Sequence, residues 1–419
     1  MSTLPFATSV YAARLNRAAD LAADAGFDGI IIGPGADLQY LAGVEGDTIE
    51  RLTALIISPG RPATMVVPHM ELAKVRDTAI GELGLTIADW VDGENPYDLV
   101  AAALESVSRV GVSDALPALH VIPIGERLGA RLELATPVLR EGRMIKDDAE
   151  ITELRRAGAA IDAVHRRVPE WLRAGRTERE VAADIAQAIV AAGHRTVEFV
   201  IVGSGPNGAD PHHEVSDRVI EDGDIVVVDI GGAVPSGYNS DSTRTYAVGT
   251  PHLEASDRIA TLVRAQQASV DAVRPGATAS EVDAAARQVL ADAGLGDAFV
   301  HRTGHGIGVS VHEEPYIAPG NDLVLREGMA FSIEPGIYFA GEWGARIEDI
   351  VVVTADGCER LNVVEHRLTA VLRGGGDIYD DRGGGAVGAP TREPDAGRGK
   401  SADLKGDALE LWSLGDSNS

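Results

Sequence analysis

Leu172-Arg-Ala-Gly-Arg-Thr-Glu-Arg-Glu-Val-Ala-Ala, running on to Ala192-Gly193, returns 101 residues later as Val273-Arg-Pro-Gly-Ala-Thr-Ala-Ser-Glu-Val-Asp-Ala, running on to Ala293-Gly294. Arg173/Arg274, Gly175/Gly276, Thr177/Thr278, Glu180/Glu281, Val181/Val282, Gln187/Gln288 and Gly193/Gly294 are identical pairs. Each copy offers a Thr that can cap, a Glu three residues on, and an apolar helical run stopped by Gly, which is the chemistry of a capping box. Shared helix-start chemistry alone accounts for part of such a likeness. Each copy is also preceded by a helical pattern and followed by strand-like Phe199-Val200 or Phe299-Val300 and a Gly-rich loop. The pattern therefore predicts a domain built of two related α+β halves with a cleft between them.

Working outward, residues 8–142 read as an α/β domain. Tyr11 to Ala25 repeats apolar residues at helical spacing and ends at Gly26. Asp28-Gly-Ile-Ile-Ile-Gly, Leu52 to Ile57 and Thr64 to Val67 read as short buried strands. Arg143-Met-Ile-Lys-Asp-Asp is a polar-flanked link, after which residues 147–373 form the two-halved domain, opened by an amphipathic helix expected over about 149–172. From residue 374 the composition turns to glycine triplets, Pro, Asp, Lys and Ser. Residues 374–419 are expected to be disordered, because they carry too little apolar surface to offset their ordering entropy.

The 419 residues hold 37 Lys+Arg against 64 Asp+Glu, and a net charge of −27 is the wrong sign for neutralising phosphates or anionic lipid. With 4% aromatics there are few platforms for stacking bases, so no nucleic-acid partner is expected. No apolar run approaches the ~18 residues of a membrane helix, and the N-terminus lacks the build of a secretory signal. The single cysteine, Cys358, permits neither an internal disulfide nor a thiolate metal cage, and a cytoplasmic protein without membrane contact is expected.

Three windows concentrate metal-binding groups. In Ile225-Val-Val-Val-Asp229 through Tyr238-Asn-Ser-Asp241-Ser-Thr243, two β-branched strands flank a Gly/Pro/Ser turn, and antiparallel pairing sets Asp229 and Asp241 side by side. In His301-Arg-Thr-Gly304-His305-Gly306, flanking glycines let the backbone bring an imidazole close to another group, and His312 follows seven residues on. In the third window Glu334 ends an apolar strand before Pro335-Gly336, and Glu348 lies within one, where an unpaired carboxylate is costly. Arg346 shares a face with Glu348 and compensates that charge only in part. Four carboxylates and one imidazole suit Mn²⁺, Co²⁺ or Zn²⁺ rather than soft copper. Five protein ligands are too many for one catalytic zinc with an open position but suit two ions roughly 3.5 to 4 Å apart, so a di-metal hydrolase is expected.

These windows resemble the signature of the "pita-bread" metallopeptidases, the family of aminopeptidase P, prolidase and methionine aminopeptidase. Residues 8–142 resemble the creatinase-like N-terminal domain of the first two. The likeness covers about residues 8–372. It implies that Asp229, Asp241, His305, Glu334 and Glu348 hold two divalent metal ions, manganese above all, with Asp241 and Glu348 bridging. It also implies a homodimer that cleaves a peptide with proline second. Glu334, His312, His212 and Arg346 carry over as catalytic residues: Glu334 accepts the nucleophile's proton, His312 and His212 donate to the oxyanion, and Arg346 lies near the substrate. Tyr238 and Thr243 carry over as supports of the metal site, and His213 as a bystander. The spacing from Asp229 to Asp241 is one residue longer than in many members, a difference that a surface turn at 234–236 would absorb.

Two other readings stay open from sequence. A hydrolase or lyase of this fold could act on a small non-peptide substrate, since metal ligands alone do not fix the substrate. A metal-free binding module on the same fold is disfavoured because all five ligand positions are present.

Overall fold

Period-two alternation in the first strands feeds two cores at once. Ile30 and Ile32 of Gly29–Ile32, with Leu55, Ile57, Met65 and Val67, pack under the helix Thr8–Asp24. Ile31, Ala54, Ile56 and Val66 face the other way, toward Val100 and Ile124 of the helices Pro96–Ala103 and Ala118–Leu128. The result is a six-stranded mixed sheet covered by helices on both faces. Its order is Thr86–Trp90, Thr64–Pro68, Ala54–Ile57, Gly29–Ile32, Arg109–Val112, Arg131–Leu134. The computed structural model describes residues 4–46 and 50–372 and the backbone of 377–378.

Beyond this sheet the expected link is shorter than its polar residues suggest. The helix Thr136–Met144 takes in Arg143, and Ile145 bridges Met329 of the following domain. The next helix, Asp148–His165, starts on an Asp147/Glu150 capping box and ends well before residue 172. Pro169 supplies no N–H and crowds the carbonyl four residues back, so the chain breaks at Arg166-Arg167 and resumes as Val168–Trp171.

The internal repeat is carried by matching hydrogen bonds. Both capping boxes form, Thr177 with Glu180 and Thr278 with Glu281, and each starts a 14-residue helix, Glu178–Ala191 and Ala279–Asp292. The backbone ahead of each helix pairs with a following segment in the same way: Gly175 N donates to Ile220 O as Gly276 N does to Leu325 O, and Glu178 N to Arg218 O as Ala279 N does to Leu323 O. The halves diverge after the helix. Phe199-Val200 lies in the strand Thr196–Ser204, whereas Phe299-Val300 lies outside any strand, with Phe299 buried and Val300 exposed.

Each half is built on one five-stranded sheet, the first of them completed by two strands that come after the second sheet in the chain. The first has the order Asp377–Ile378, Thr369–Val371, Asn239–Val248, Ile225–Ala233, Thr196–Ser204, and the second Glu313–Ile317, Gly304–Gly306, Ala330–Ile333, Asp349–Val353, Cys358–Arg360. A ribbon, Gly336–Phe339 with Trp343–Arg346, stands between them. The expectation of a disordered tail concerns residues outside those described, apart from Asp377–Ile378, which extend the first sheet. Among the described residues no helix is long and apolar enough to cross a membrane.

Candidate metal centre

Alternation also decides where the carboxylates go. In the hairpin Ile225–Ala233/Asn239–Val248, Val226, Val228, Ile230, Tyr246 and Val248 pack against the helical core, which turns Asp229, Asp241 and Thr243 to the opposite face. Asp229 pairs with Thr243, and Asp241 with Gly231. The two aspartates are therefore diagonal neighbours on one face rather than directly opposed. In the second half Phe331 and Ile333 enter the core, and Glu334 follows the strand end with the parity of Ser332. Glu348 occupies the break between Trp343–Arg346 and Asp349–Val353, not a strand interior, and its N–H donates to Thr243 O at 3.1 Å.

His305 is threaded between glycines for a steric reason: a Cβ at Gly304 would stand 1.9 Å from Ser332 O, and one at Gly306 2.3 Å from Glu314 O. Its Nδ1 donates to Gly306 O at 3.0 Å, which leaves the Nε2 lone pair facing inward, 3.2 Å from Glu334 Oε1 and 3.5 Å from Asp241 Oδ2. Ligand atoms of Asp241, His305 and Glu348 lie within 4.8 Å of one another. Thr243 Oγ1 donates to Glu348 Oε2 at 2.7 Å, and Arg346 Nη2 to Asp229 Oδ2 at 2.5 Å. The other oxygens of these two carboxylates, Glu348 Oε1 and Asp229 Oδ1, are buried without a hydrogen-bond partner among the described residues.

The electrostatics are unresolved by protein groups alone. Burial, then the charge of Asp229, pushes Asp241 well above the usual carboxylate range, and burial, then Asp241 and Glu334, does the same to Glu348. Burial also raises Asp229, against the pull of Arg346. At Glu334 burial is outweighed by His305, whose hydrogen bond and charge hold the carboxyl at about 2. Crowded carboxylates with orphaned buried oxygens call for a cation, and an oxygen-rich donor set with one imidazole fits hard or borderline divalent ions.

Around this cluster the structure brings together His312, whose ring lies 4.2 Å from that of His305, and Arg346, which is buried. His312 and His212 are both exposed, and the loop of His212 touches Arg346 through Pro211 O at 3.5 Å. Arg346 pairs with Asp229 rather than with its chain neighbour Glu348.

Sequence reasoning passes over three contributors. Tyr338 accepts from Arg346 Nη1 at 2.7 Å and contacts His301 Nε2 at 2.9 Å. Ser332 Oγ accepts from His305 N and donates to Glu334. His213, expected to take no part in the chemistry, has a structural contact: it binds Glu178 at 2.8 Å, a fully buried carboxylate that also takes Ser204, Asn207 and Ser216, so it fastens the loop that bears His212. Tyr238, by contrast, turns away from the carboxylates. Its hydroxyl donates to Glu150 at 2.6 Å, its ring meets Phe6, and the turn that carries it is largely buried, with a Cβ at Gly237 falling 1.9 Å from Gln39. The turn at 234–236, expected at the surface, is thus packed against the first domain, with Pro235 exposed and Val234 and Ser236 buried.

The model of metallopeptidase family M24 matches residues 152–355, and that of the Creatinase/Prolidase N-terminal domain residues 14–145. A probable dipeptidase PepE of Mycobacterium tuberculosis is 58% identical over 372 residues, 88% of this chain and 99% of that protein. The chain belongs to metallopeptidase family M24. Its creatinase-like N-terminal domain and pita-bread C-terminal domain recur in the crystal structure of dipeptidase PepE from Mycobacterium ulcerans, which has a TM-score of 0.85 at 58% identity and covers 88% of this chain and 100% of that one. An Xaa-Pro dipeptidase of Pyrococcus horikoshii is 33% identical over 343 residues, 81% of this chain and 94% of its own. This M24 member is accordingly an enzyme of the metallopeptidase type, and its family implies divalent metal ions.

Proposed function

We propose that the protein is a manganese-dependent Xaa-Pro dipeptidase or aminopeptidase, with Asp229, Asp241, His305, Glu334 and Glu348 as ligands of two ions and Asp241 and Glu348 shared between them. The observation that carries the reading is the pair of orphaned oxygens, Asp229 Oδ1 and Glu348 Oε1, on a face with His305 Nε2 already aimed inward. Two divalent cations held by these residues would supply a water of lowered pKa and polarisation of the scissile carbonyl. Glu334 accepts the nucleophile's proton and returns it to the leaving nitrogen, with Ser332 holding one of its oxygens. His312 and His212 donate to the developing oxyanion, where one preformed donor is worth about 3 kcal/mol. Arg346 sets the orientation of Asp229 and, through Tyr338, of the wall beside His301.

Proline after the scissile bond is proposed from the name of the Pyrococcus relative together with the family signature. A cytoplasmic location fits the single cysteine, and a homodimer would let a neighbouring first domain wall the cleft. The test is kcat/KM with Mn²⁺ for Ala-Pro, Ala-Ala and a longer Xaa-Pro peptide. Ala-Pro should be preferred by roughly 10- to 200-fold if ring burial alone discriminates, and by more if an N–H of the wrong substrate is left unpaired. Equal rates for Ala-Pro and Ala-Ala reject proline specificity, and failure of fully metallated enzyme on every peptide moves the reading to a small non-peptide substrate.

A further inference from the structure

The loop that carries His312 is fastened from outside its own half. It spans 307–312 between the strands Gly304–Gly306 and Glu313–Ile317 and is closed by the pairing of Gly306 with Glu313. Three groups hold it. Asn239 binds Gly308 O with both its backbone N–H, at 2.9 Å, and its side-chain amide, at 3.0 Å. Arg143 Nη2 donates to Ser310 Oγ at 2.8 Å and to Glu313 Oε2, and its Nε reaches the same carboxylate at 3.2 Å. Lys146 Nζ takes the other oxygen, Glu313 Oε1. Gly308 lies against this ion pair: a Cβ there would stand 2.7 Å from Glu313 Oε1 and 2.9 Å from Lys146 Nζ, so both side-chain ends would have to shift. The remaining arm of Arg143, Nη1, reaches Asp37 Oδ1 at 2.9 Å in the helix Ala36–Ala42 of the first domain. Burial works against charge on Glu313, but Arg143 and Lys146 outweigh it and keep the carboxyl below its ordinary range.

We propose that Arg143 is a positioning residue for His312: its guanidinium clamps Ser310 and Glu313 on either side of His312 while Asp37 fixes the guanidinium from the first domain, so the seating of that domain sets the aim of the imidazole. The inference rests on the reading of His312 as an oxyanion donor. A planar fork reaching three acceptors on two domains is what arginine provides and lysine does not. A purely structural ion network would stabilise the interface and leave no particular mark on His312.

The test is a double-mutant cycle on the full chain loaded with Mn²⁺, reading kcat, KM, metal content and Tm. Arg143→Lys should lower kcat about 10-fold or more by misplacing a reacting group, with KM changed less than about twofold and metal content unaltered. Combined with His312→Ala it should lower kcat by less than about twofold further, because the group it positions is gone. Ser310→Ala, which removes one hydrogen bond from the charged guanidinium to a neutral hydroxyl and leaves every ion pair in place, should show the same pattern at about two- to fivefold, and it decides the matter if Arg143→Lys does not fold. An equal fall of kcat in both backgrounds, an unchanged kcat in the single variants, or metal loss in step with kcat overturns the proposal. If His312→Ala alone leaves kcat intact, it is the underlying reading of the site that fails.

Discussion

Arg346 Nη2 stands 2.5 Å from Asp229 Oδ2, and the same guanidinium reaches Tyr338 and Thr243, so one buried cation ties both strands of the first-half hairpin to the ribbon that precedes Glu348. Arg346→Met should leave Asp229 uncompensated when no metal is bound, at a cost of roughly 3 to 5 kcal/mol. Added Mn²⁺ supplies positive charge to the same carboxylate. The expected result is a Tm lowered much more in chelator than in Mn²⁺, and an equal drop in both conditions would show that Asp229 lies outside the metal centre.

If Asp241 is a ligand shared by both ions, as proposed, Asp241→Ala should abolish turnover and leave less than half the wild-type metal. Its oxygen lies with ligand atoms of His305 and Glu348, all within 4.8 Å of one another. Elemental analysis beside a peptidase assay checks this, and full metal with near-normal turnover refutes the ligand assignment.

His312→Ala should retain metal and lower kcat by ~10² or more, since a donor to the oxyanion acts mainly in the transition state. The ring stands beside that of His305 and, unlike it, is exposed. A variant that instead loses metal makes His312 a ligand.

A pH dependence of stability should arise at His165. It is buried between Ser242 O and Tyr246, and burial followed by the charge of Arg244 holds it down to about 3. The folded pKa lies below the unfolded one, so the unfolded chain binds more protons across pH 3 to 6.5. This contribution is complete above about 6.5 and is lost as pH falls, by about 2 kcal/mol between pH 7 and 5. Denaturant unfolding at several pH values should give a slope that His165→Gln flattens. An unchanged slope in the variant assigns the effect elsewhere.

Features written in short-range chemistry are legible in the sequence. Thr177/Glu180 and Thr278/Glu281 declare both repeat helices because a capping box needs only residues three apart. Asp229, Asp241, His305, Glu334 and Glu348 stand out because charges in β-branched runs or between glycines demand a reason. What escapes the sequence depends on partners far along the chain. Arg346 finds Asp229, 117 residues away, and nothing local prefers it over Glu348. Glu178 looks like an ordinary first-turn acid on a helix, and only tertiary packing makes it the buried hub under His213. Tyr238 sits three residues from Asp241 but packs toward Glu150 and Phe6, because the turn between the strands is pressed into the first domain.

The carboxylate cluster is divided between the repeats: Asp229 and Asp241 come from the first sheet's hairpin, His305, Glu334 and Glu348 from the second half, and Thr243 joins the two through Glu348. Neither repeat owns a working set. Turnover in a denaturation series therefore counts only molecules in which both repeats are docked, and it should vanish with the first loss of their mutual contact, even while each sheet keeps its own ladder and the far-ultraviolet dichroism still reads as folded.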